Sequence, residues 1–239
     1  MQPLDAAVAT TEAIAYLPAG FMLDTGTYEY GASLGYDGTD FYFGGRGGAL
    51  GEVDGAVVAA CFVFFNPDTV VAAWDRAAKV ARPAETASAF AHCAAQWAEA
   101  HLPDGVDYGR LAVLEAKLIA GSSPAGAPLF AAWAAQPEPE PDRALALHRM
   151  HVLRELRGAL HGAAVLAEGL APVEALTIRT PFMAGIFGWS EPLPDPEPHK
   201  AAWERAEAAT NRAMSRTMAV LDEAERDEFV ALALAAATR

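Results

Sequence analysis

Residues 154–168 read R-E-L-R-G-A-L-H-G-A-A-V-L-A-E, and this stretch decides the fold class. It places two arginines, a glycine and a histidine in a segment whose alanine and leucine content favours a helix. In one helix, Arg154, Arg157 and His161 stand at positions i, i+3 and i+7 and therefore share a face. The stretch predicts a mainly α-helical protein with a polar site on that face.

A similar stretch occurs earlier in the chain and suggests an internal repeat. The sequence R-G-G-A-L-G occupies 46–51, and R-G-A-L-H-G occupies 157–162. Each is followed by an apolar run and then by a turn that contains proline. We therefore predict two pseudo-repeated, winged-helix-like halves, 1–136 and 142–239. The segment 137–141 connects them, because its alternating prolines favour an extended, semi-rigid chain.

Apolar periodicity and proline or glycine breaks predict a series of helices between these landmarks. Pro18 is expected to end the first helix, and 18–40, rich in glycine and tyrosine, to form a long connecting loop. A strand is the competing prediction at 53–65, because valine and phenylalanine favour strands. The proline-rich segment 181–198 is predicted to be a loop or a small hairpin. The predicted helices are 5–17, 53–65, 67–80, 83–101, 106–120, 127–136, 143–168, 172–180, 200–221 and 223–237.

Four glycines between Asp40 and Leu50 have two interpretations. They weaken a helix by about 1 kcal/mol each relative to alanine. They also allow close approach, either of a neighbouring helix or of a ligand.

The charge of the chain argues against nucleic acid as a partner. The 239 residues carry a formal net charge of −14, whereas DNA-binding proteins usually present a basic face. A local basic helix remains compatible with DNA binding. The two candidate groups are Arg76, Lys79 and Arg82, and Arg205, Arg212 and Arg216.

Several other classes of site have no support in the sequence. There is no signal-peptide pattern and no apolar run of the length that spans a bilayer, which predicts a cytoplasmic protein without a membrane partner. His148, His151 and Glu155 have helical spacing suited to zinc, but further ligands are not evident nearby, and no metal site is predicted. No dinucleotide or phosphate-loop motif occurs, so no cofactor is predicted.

The strongest candidate site lies between the two halves, where ligand sites are common. Arg46, Arg154 and Arg157 are the expected polar anchors, since guanidinium groups suit an anionic ligand. His161 is the candidate general acid or base, because neighbouring cations lower the pKa of an imidazole. Alternatively, Arg154 and Arg157 form ion pairs with Glu155, Glu168 or Glu174, and His161 is a core histidine. The expected apolar wall consists of Tyr42, Phe62, Phe65, Phe182 and Trp189.

Three motifs carry a resemblance to a known family: Y-F-G-G-R-G-G-A-L-G at 42–51, F-F-N-P at 64–67 and R-E-L-R-G-A-L-H at 154–161. From about residue 10 onward the chain resembles actinobacterial proteins of helix-turn-helix type, distantly MarR-like or winged-helix-like. Members of this family often occur near specialised-metabolite genes. In the third motif the family pattern is close to R-E-H-R-G-D-G-H, and this chain has Leu156 in place of the first histidine. The resemblance implies DNA binding.

Three functions follow as hypotheses. In the first, the cavity between the halves binds a small, largely apolar metabolite, anionic or neutral, with or without cofactor-independent catalysis. In the second, the chain is a ligand-responsive, MarR-like transcriptional regulator. In the third, it is a helical scaffold. A homodimer is compatible with each of them.

Overall fold

The computed structural model describes residues 1–238, and its regular structure is helical. No β-strand occurs in this part of the chain. The mainly α fold is therefore confirmed, and the alternative of a strand at 53–65 is wrong. The helices are α1 (Pro3–Ala9), α2 (Thr11–Leu23), α3 (Thr25–Ser33), α4 (Asp40–Gly48), α5 (Gly55–Cys61), α6 (Pro67–Ala77), α7 (Pro83–His101), α8 (Tyr108–Ala120), α9 (Pro128–Ala134), α10 (Asp142–Ala167), α11 (Pro172–Arg179), α12 (Lys200–Met218) and α13 (Glu223–Ala236).

Prolines and polar caps define many of the helix starts, as the sequence predicts. Proline occupies the first turn of α6, α7, α9 and α11, where its missing N–H costs no hydrogen bond. At the start of α6, the side-chain oxygen of Asn66 accepts a hydrogen bond from the backbone N–H of Asp68 at 3.0 Å. Helix α7 has the predicted bounds, Pro83–His101.

The predicted end of the first helix at Pro18 is wrong. Helix α2 continues through Pro18 to Leu23, and a break at Thr10 separates it from α1. Ile14, Leu17 and Phe21 on this helix are buried in the core. Their burial offsets the proline penalty, so tertiary packing overrides the local signal.

Much of the predicted loop 18–40 is also helical. After α2 the chain turns at Asp24, whose carboxylate accepts a hydrogen bond from the Gly26 N–H at 2.8 Å and caps α3. Aspartate is a common residue at the start of a helix. The sequence did not predict α3, because the glycines and tyrosines that follow Asp24 have low helix propensity.

The hairpin considered at 181–198 is not present. This segment contains two short 3-10 turns, Pro181–Met183 and Glu197–His199, joined by irregular chain. Its prolines cannot donate the ladder hydrogen bonds that a hairpin needs. The alternative prediction of a loop is therefore correct.

Helix α10 is central, since it packs against α2, α7, α8, α9 and α12. The main hydrophobic core includes residues on both sides of 137–141, for example Phe90 and Leu153. The segment 137–141 thus connects two parts of one continuous core. The duplication of the two halves stays a prediction.

The glycines of α4 allow a very close approach to α7. A Cβ at Gly45 would lie 2.6 Å from the Cβ of Phe90, and one at Gly48 would lie 2.2 Å from the carbonyl oxygen of Pro83. Of the two interpretations of these glycines, close helix packing accounts for both positions. This contact fixes α4, which carries Arg46, against the core.

The first two helices form the stretch Pro3–Leu23, which is apolar and long enough to satisfy a length and composition criterion for a membrane span. Half of its most apolar window is buried inside the protein. A core helix has the same composition, and the packing of α2 on α7 and α10 accounts for it.

Candidate functional site

A cavity of about 590 Å³ lies between α2, α4, α9, α10 and the segment 180–187. Residues from both sides of 137–141 line it. Its walls are largely apolar, and they include Met22, Phe43, Phe62, Phe65, Leu129, Met183 and Phe187. A volume of roughly 300–1,000 Å³ is typical of sites for small molecules.

The polar end of the cavity is built on a buried ion pair between Arg46 of α4 and Glu155 of α10. Arg46 Nε donates to Glu155 Oε1 at 2.7 Å, and Nη2 donates to Oε2 at 2.8 Å. The third nitrogen, Nη1, donates to the Tyr42 hydroxyl at 2.9 Å. The guanidinium also lies 4.3 Å from the ring centre of Phe62. Every nitrogen of Arg46 is therefore engaged, and the pair is rigidly held.

Two further arginines of α10 line the same end. Arg154 donates from Nε to the carbonyl oxygen of Ala15 at 3.1 Å, and its Nη1 lies 3.3 Å from Glu155 Oε1. Arg157 donates from Nη2 to Glu207 Oε2 at 3.0 Å. Its Nε is buried and has no hydrogen-bond partner among residues 1–238. The guanidinium groups of Arg46, Arg154 and Arg157 lie near the carboxylates of Glu155 and Glu207. Three positive and two negative charges leave a formal excess of one positive charge.

The pKa values of the central pair keep both partners ionised. Burial alone would raise the pKa of Glu155, but the charge and hydrogen bonds of Arg46, with smaller effects of His151 and Arg154, hold it down at about 2. Burial alone would lower the pKa of Arg46, and the Glu155 carboxylate and the Tyr42 hydroxyl raise it on balance. Arg46 and Glu155 therefore both keep their charges throughout the physiological pH range.

Comparison with known proteins identifies a family. A family model described as a helix-turn-helix family matches residues 7–239, which is nearly the whole chain. The chain belongs to this helix-turn-helix family. No curated protein and no solved structure gives a significant match. Family membership therefore supports the helix-turn-helix part of the resemblance, whereas the MarR-like relation stays a prediction.

The family motif at 154–161 contributes its arginines to the cavity but not its histidine. His161 Nδ1 lies 3.1 Å from the Thr210 hydroxyl and 3.3 Å from Glu207 Oε1, and its ring packs on Phe64. It is not part of the cavity wall. The face of α10 that carries Arg154 and Arg157 borders the cavity. One turn further along, at His161, the same face packs against α12. Burial lowers the pKa of His161, with Glu207 opposing this and Arg157 assisting it. Neighbouring cations were expected to lower this pKa, but burial is the larger cause, and the ring lies against α12 instead of in the cavity.

The structure places three of the five predicted wall residues at the cavity. Tyr42, Phe62 and Phe65 line the cavity. Phe182 does not, and it is 80% exposed. Trp189 does not line it either, because its indole N–H donates to the carbonyl oxygen of Phe64 at 2.8 Å. The segment 180–187 reaches the cavity instead through Met183, Ile186 and Phe187.

Sequence reasoning gave Glu155 only a minor role, as an ion-pair partner or zinc ligand. In the structure it joins Arg46 to α10 across 109 positions of sequence. Helix α10 has two carboxylates, Asp142 at its first residue and Glu155 in its interior. The interior position of Glu155 was the available signal, since a carboxylate inside a helix that packs in the core needs a buried partner. The zinc alternative at His148, His151 and Glu155 has no counterpart, because no metal-binding group of three such ligands occurs among residues 1–238.

The two groups of basic residues considered for DNA binding differ in how many of their side chains form ion pairs. Arg76 donates to both oxygens of Asp40, at 2.8 and 2.7 Å. Arg205 pairs with Glu168 at 2.7 Å. Arg212 and Arg216 are exposed on α12 and form no ion pair within the described part of the chain. The second group therefore has more free positive charge than the first.

Proposed function

We propose that this protein binds a small, largely apolar molecule with one negative charge in the cavity between α4 and α10. The observation that carries this proposal is that Arg157 lines the polar end of an apolar cavity and that its buried Nε has no hydrogen-bond partner among residues 1–238. A buried donor without a partner is costly, and a ligand oxygen would satisfy it.

Charge balance at the polar end indicates an acidic ligand group. Arg46, Arg154 and Arg157 exceed Glu155 and Glu207 by one charge, as described above. A carboxylate would neutralise this excess and accept charge-assisted hydrogen bonds from the guanidinium groups. The rest of the ligand would contact the aromatic wall, where burial of apolar surface supplies most of the affinity.

The rim of the cavity favours the entry of an apolar molecule. Four large lining residues, Tyr16, Leu23, Leu166 and Ile186, are 42%, 57%, 54% and 50% exposed. An exposed apolar cluster around a concave opening is typical of a ligand-binding groove. Such a ligand agrees with the frequent occurrence of specialised-metabolite genes near members of the family that the chain resembles.

The first hypothesis from the sequence includes both ligand binding and catalysis, and the geometry supports binding. His161, the candidate general acid or base, contacts Glu207 and Thr210 outside the cavity wall. A general base must lie within hydrogen-bond reach of the proton it removes. A catalytic step through His161 is therefore not part of the proposal.

Calorimetric titration with decanoate and with 1-decanol tests the proposal, because the two molecules share a chain and differ in charge. We expect decanoate to bind about ten-fold more tightly or better, since a hydrogen bond to a charged group contributes roughly 1.5–3 kcal/mol. Arg157→Gln should remove this preference. Equal affinity for both probes in the wild type, or an unchanged preference in the variant, would contradict it.

A second candidate is DNA binding, which the family description favours. Arg212 and Arg216 lie one turn apart on the exposed face of α12 and carry unpaired charge among the described residues. Retention on DNA at low salt that disappears at high salt would support a regulator, since phosphate contacts release counterions. Arg212→Glu together with Arg216→Glu should then abolish retention, and retention that persists in this double variant would exclude α12 as the contact.

A further inference from the structure

A second cavity, of about 200 Å³, lies between α7, α9, α10 and the segment 137–139. Its inner wall is aromatic and is formed by Phe21, Phe90 and Trp133, which are all buried. Its outer part includes the exposed residues His92 and Glu138. None of these residues lines the cavity described above, so the second cavity is a separate feature.

His151 is the unusual group in this wall. The residue is 3% exposed, and neither Nδ1 nor Nε2 has a hydrogen-bond partner among residues 1–238. The ring stands edge-on to Trp133, with 4.6 Å between the ring centres. Buried polar atoms are normally paired. His151 lines this cavity and has two nitrogens without partners among residues 1–238, so it has the capacity to pair with a ligand there.

The neighbouring carboxylate determines which nitrogen carries the proton. Nε2 of His151 lies 3.8 Å from Glu155 Oε1, too far for a hydrogen bond but close enough for strong attraction. A proton on Nε2 is therefore favoured, and Nδ1 is left as an acceptor. The group that pairs with Nδ1 must be a donor, either a hydroxyl or an N–H.

The cavity does not favour a charged occupant. Burial lowers the pKa of His151 to about 3 and also lowers the pKa of His148, which lines the same wall, so both rings are neutral at pH 7. The carboxylate of Glu138 at the opening is already paired with Arg149, at 2.7 and 2.6 Å. Among the described residues that line this cavity, Glu138 is the only Asp, Glu, Lys or Arg, and it is already paired.

The size of the cavity limits the occupant to about one ring. An engineered apolar cavity of about 150 Å³ accommodates benzene. A volume of about 200 Å³ therefore accommodates a six-membered ring with a small substituent.

We propose that this second cavity binds a small, uncharged aromatic molecule that carries a hydroxyl or N–H donor. The ring packs between Phe90 and Trp133, where edge and face contacts between aromatic groups are favourable. The donor pairs with the free nitrogen of His151. This site is independent of the ligand proposed for the larger cavity.

Phenol and anisole are matched probes, because anisole replaces the hydroxyl hydrogen by a methyl group. Titration of protein with ¹⁵N-labelled histidine, followed by NMR, reports directly on the imidazole. We expect saturable binding of phenol that shifts the His151 nitrogen signals, and anisole should bind at least about five-fold more weakly. Equal affinities, or phenol binding that leaves these signals unmoved, would overturn the proposal.

Three variants locate the binding site. Ala94→Leu narrows the second cavity while keeping His151, and it should abolish phenol binding. His151→Leu should make phenol and anisole equal in affinity. Gly158→Phe, which alters only the larger cavity, should leave phenol binding unchanged. Phenol binding that survives Ala94→Leu or is lost in Gly158→Phe would place the molecule elsewhere and refute the assignment.

Discussion

At the scale of single residues, Glu115 of α8 is a buried carboxyl group without a hydrogen-bond partner in the described part of the chain. It is fully buried, and neither carboxylate oxygen has a hydrogen-bond partner among residues 1–238. Burial raises its pKa well above 4.5, and Arg149 opposes this only in part. The folded protein therefore holds Glu115 protonated at pH values where the unfolded chain ionises it.

The stability contribution of Glu115 should decrease as pH rises. Above pH 4.5 the unfolded state loses the proton while the folded state keeps it, so unfolding becomes more favourable by about 1.4 kcal/mol per pH unit. The loss stops when pH reaches the raised pKa of the folded state. Urea unfolding of wild type and Glu115→Gln between pH 4 and 8 should show a difference that grows in favour of the variant. A difference that is the same at each pH would show that Glu115 is ionised in the folded protein.

His151 should have the opposite pH dependence. Its pKa falls from 6.5 to about 3 on folding, so the unfolded state takes up a proton first as pH falls. Its contribution to stability is complete above pH 6.5 and is lost toward pH 3, at about 1.4 kcal/mol per pH unit. Unfolding of wild type and His151→Leu at pH 7.5 and 5.0 measures the effect. We expect the variant to lose less stability than wild type over this interval, and equal losses would contradict a neutral His151.

At the scale of helices, two glycines that look equivalent in sequence should respond in opposite ways to alanine. Both Gly45 in α4 and Gly158 in α10 lie inside helices, where alanine is favoured by about 1 kcal/mol. At Gly158 a Cβ would meet no atom within 4 Å, so Gly158→Ala should stabilise by about that amount. At Gly45 a Cβ would lie 2.6 Å from Phe90. Gly45→Ala should therefore destabilise, by about 1–3 kcal/mol as in other overpacked cores.

Thermal unfolding of the two variants tests this pair, with wild type as the reference. If both substitutions stabilise, the close contact of α4 and α7 is wrong. If both destabilise, the space beside Gly158, and hence that part of the larger cavity, is absent.

The helices also show what local sequence can predict. The bounds of α7 follow from Pro83 at its start and the turn after His101. The sequence predicts that the first helix ends at Pro18. Helix α2 continues past this proline because the burial of Ile14 and Phe21 stabilises it. Local propensity correctly predicts a helix whose ends are set by residues at those ends, such as a proline or a capping residue. It fails where a distant surface, here α7 and α10, supplies the stabilising contact.

At the scale of the whole molecule, one continuous core joins both halves of the sequence, and both cavities border α10. The sequence identified Arg46, Arg154 and Arg157 because cations in apolar helices need partners. It could not place His161, because helical periodicity gives the face of a helix but not the neighbour at each turn. In the structure that neighbour is α12, which pairs with His161 through Thr210.

We propose above that the cavity of about 590 Å³ beside Gly158 binds a small, largely apolar anion. Native mass spectrometry in excess decanoate tests it most directly, by comparing wild type with Gly158→Phe, in which the added ring occupies the cavity, and with Gly158→Ala as the control. We predict one decanoate per chain on wild type and on Gly158→Ala, and none on Gly158→Phe. Equal occupancy of all three proteins, or no decanoate on wild type, would contradict the claim.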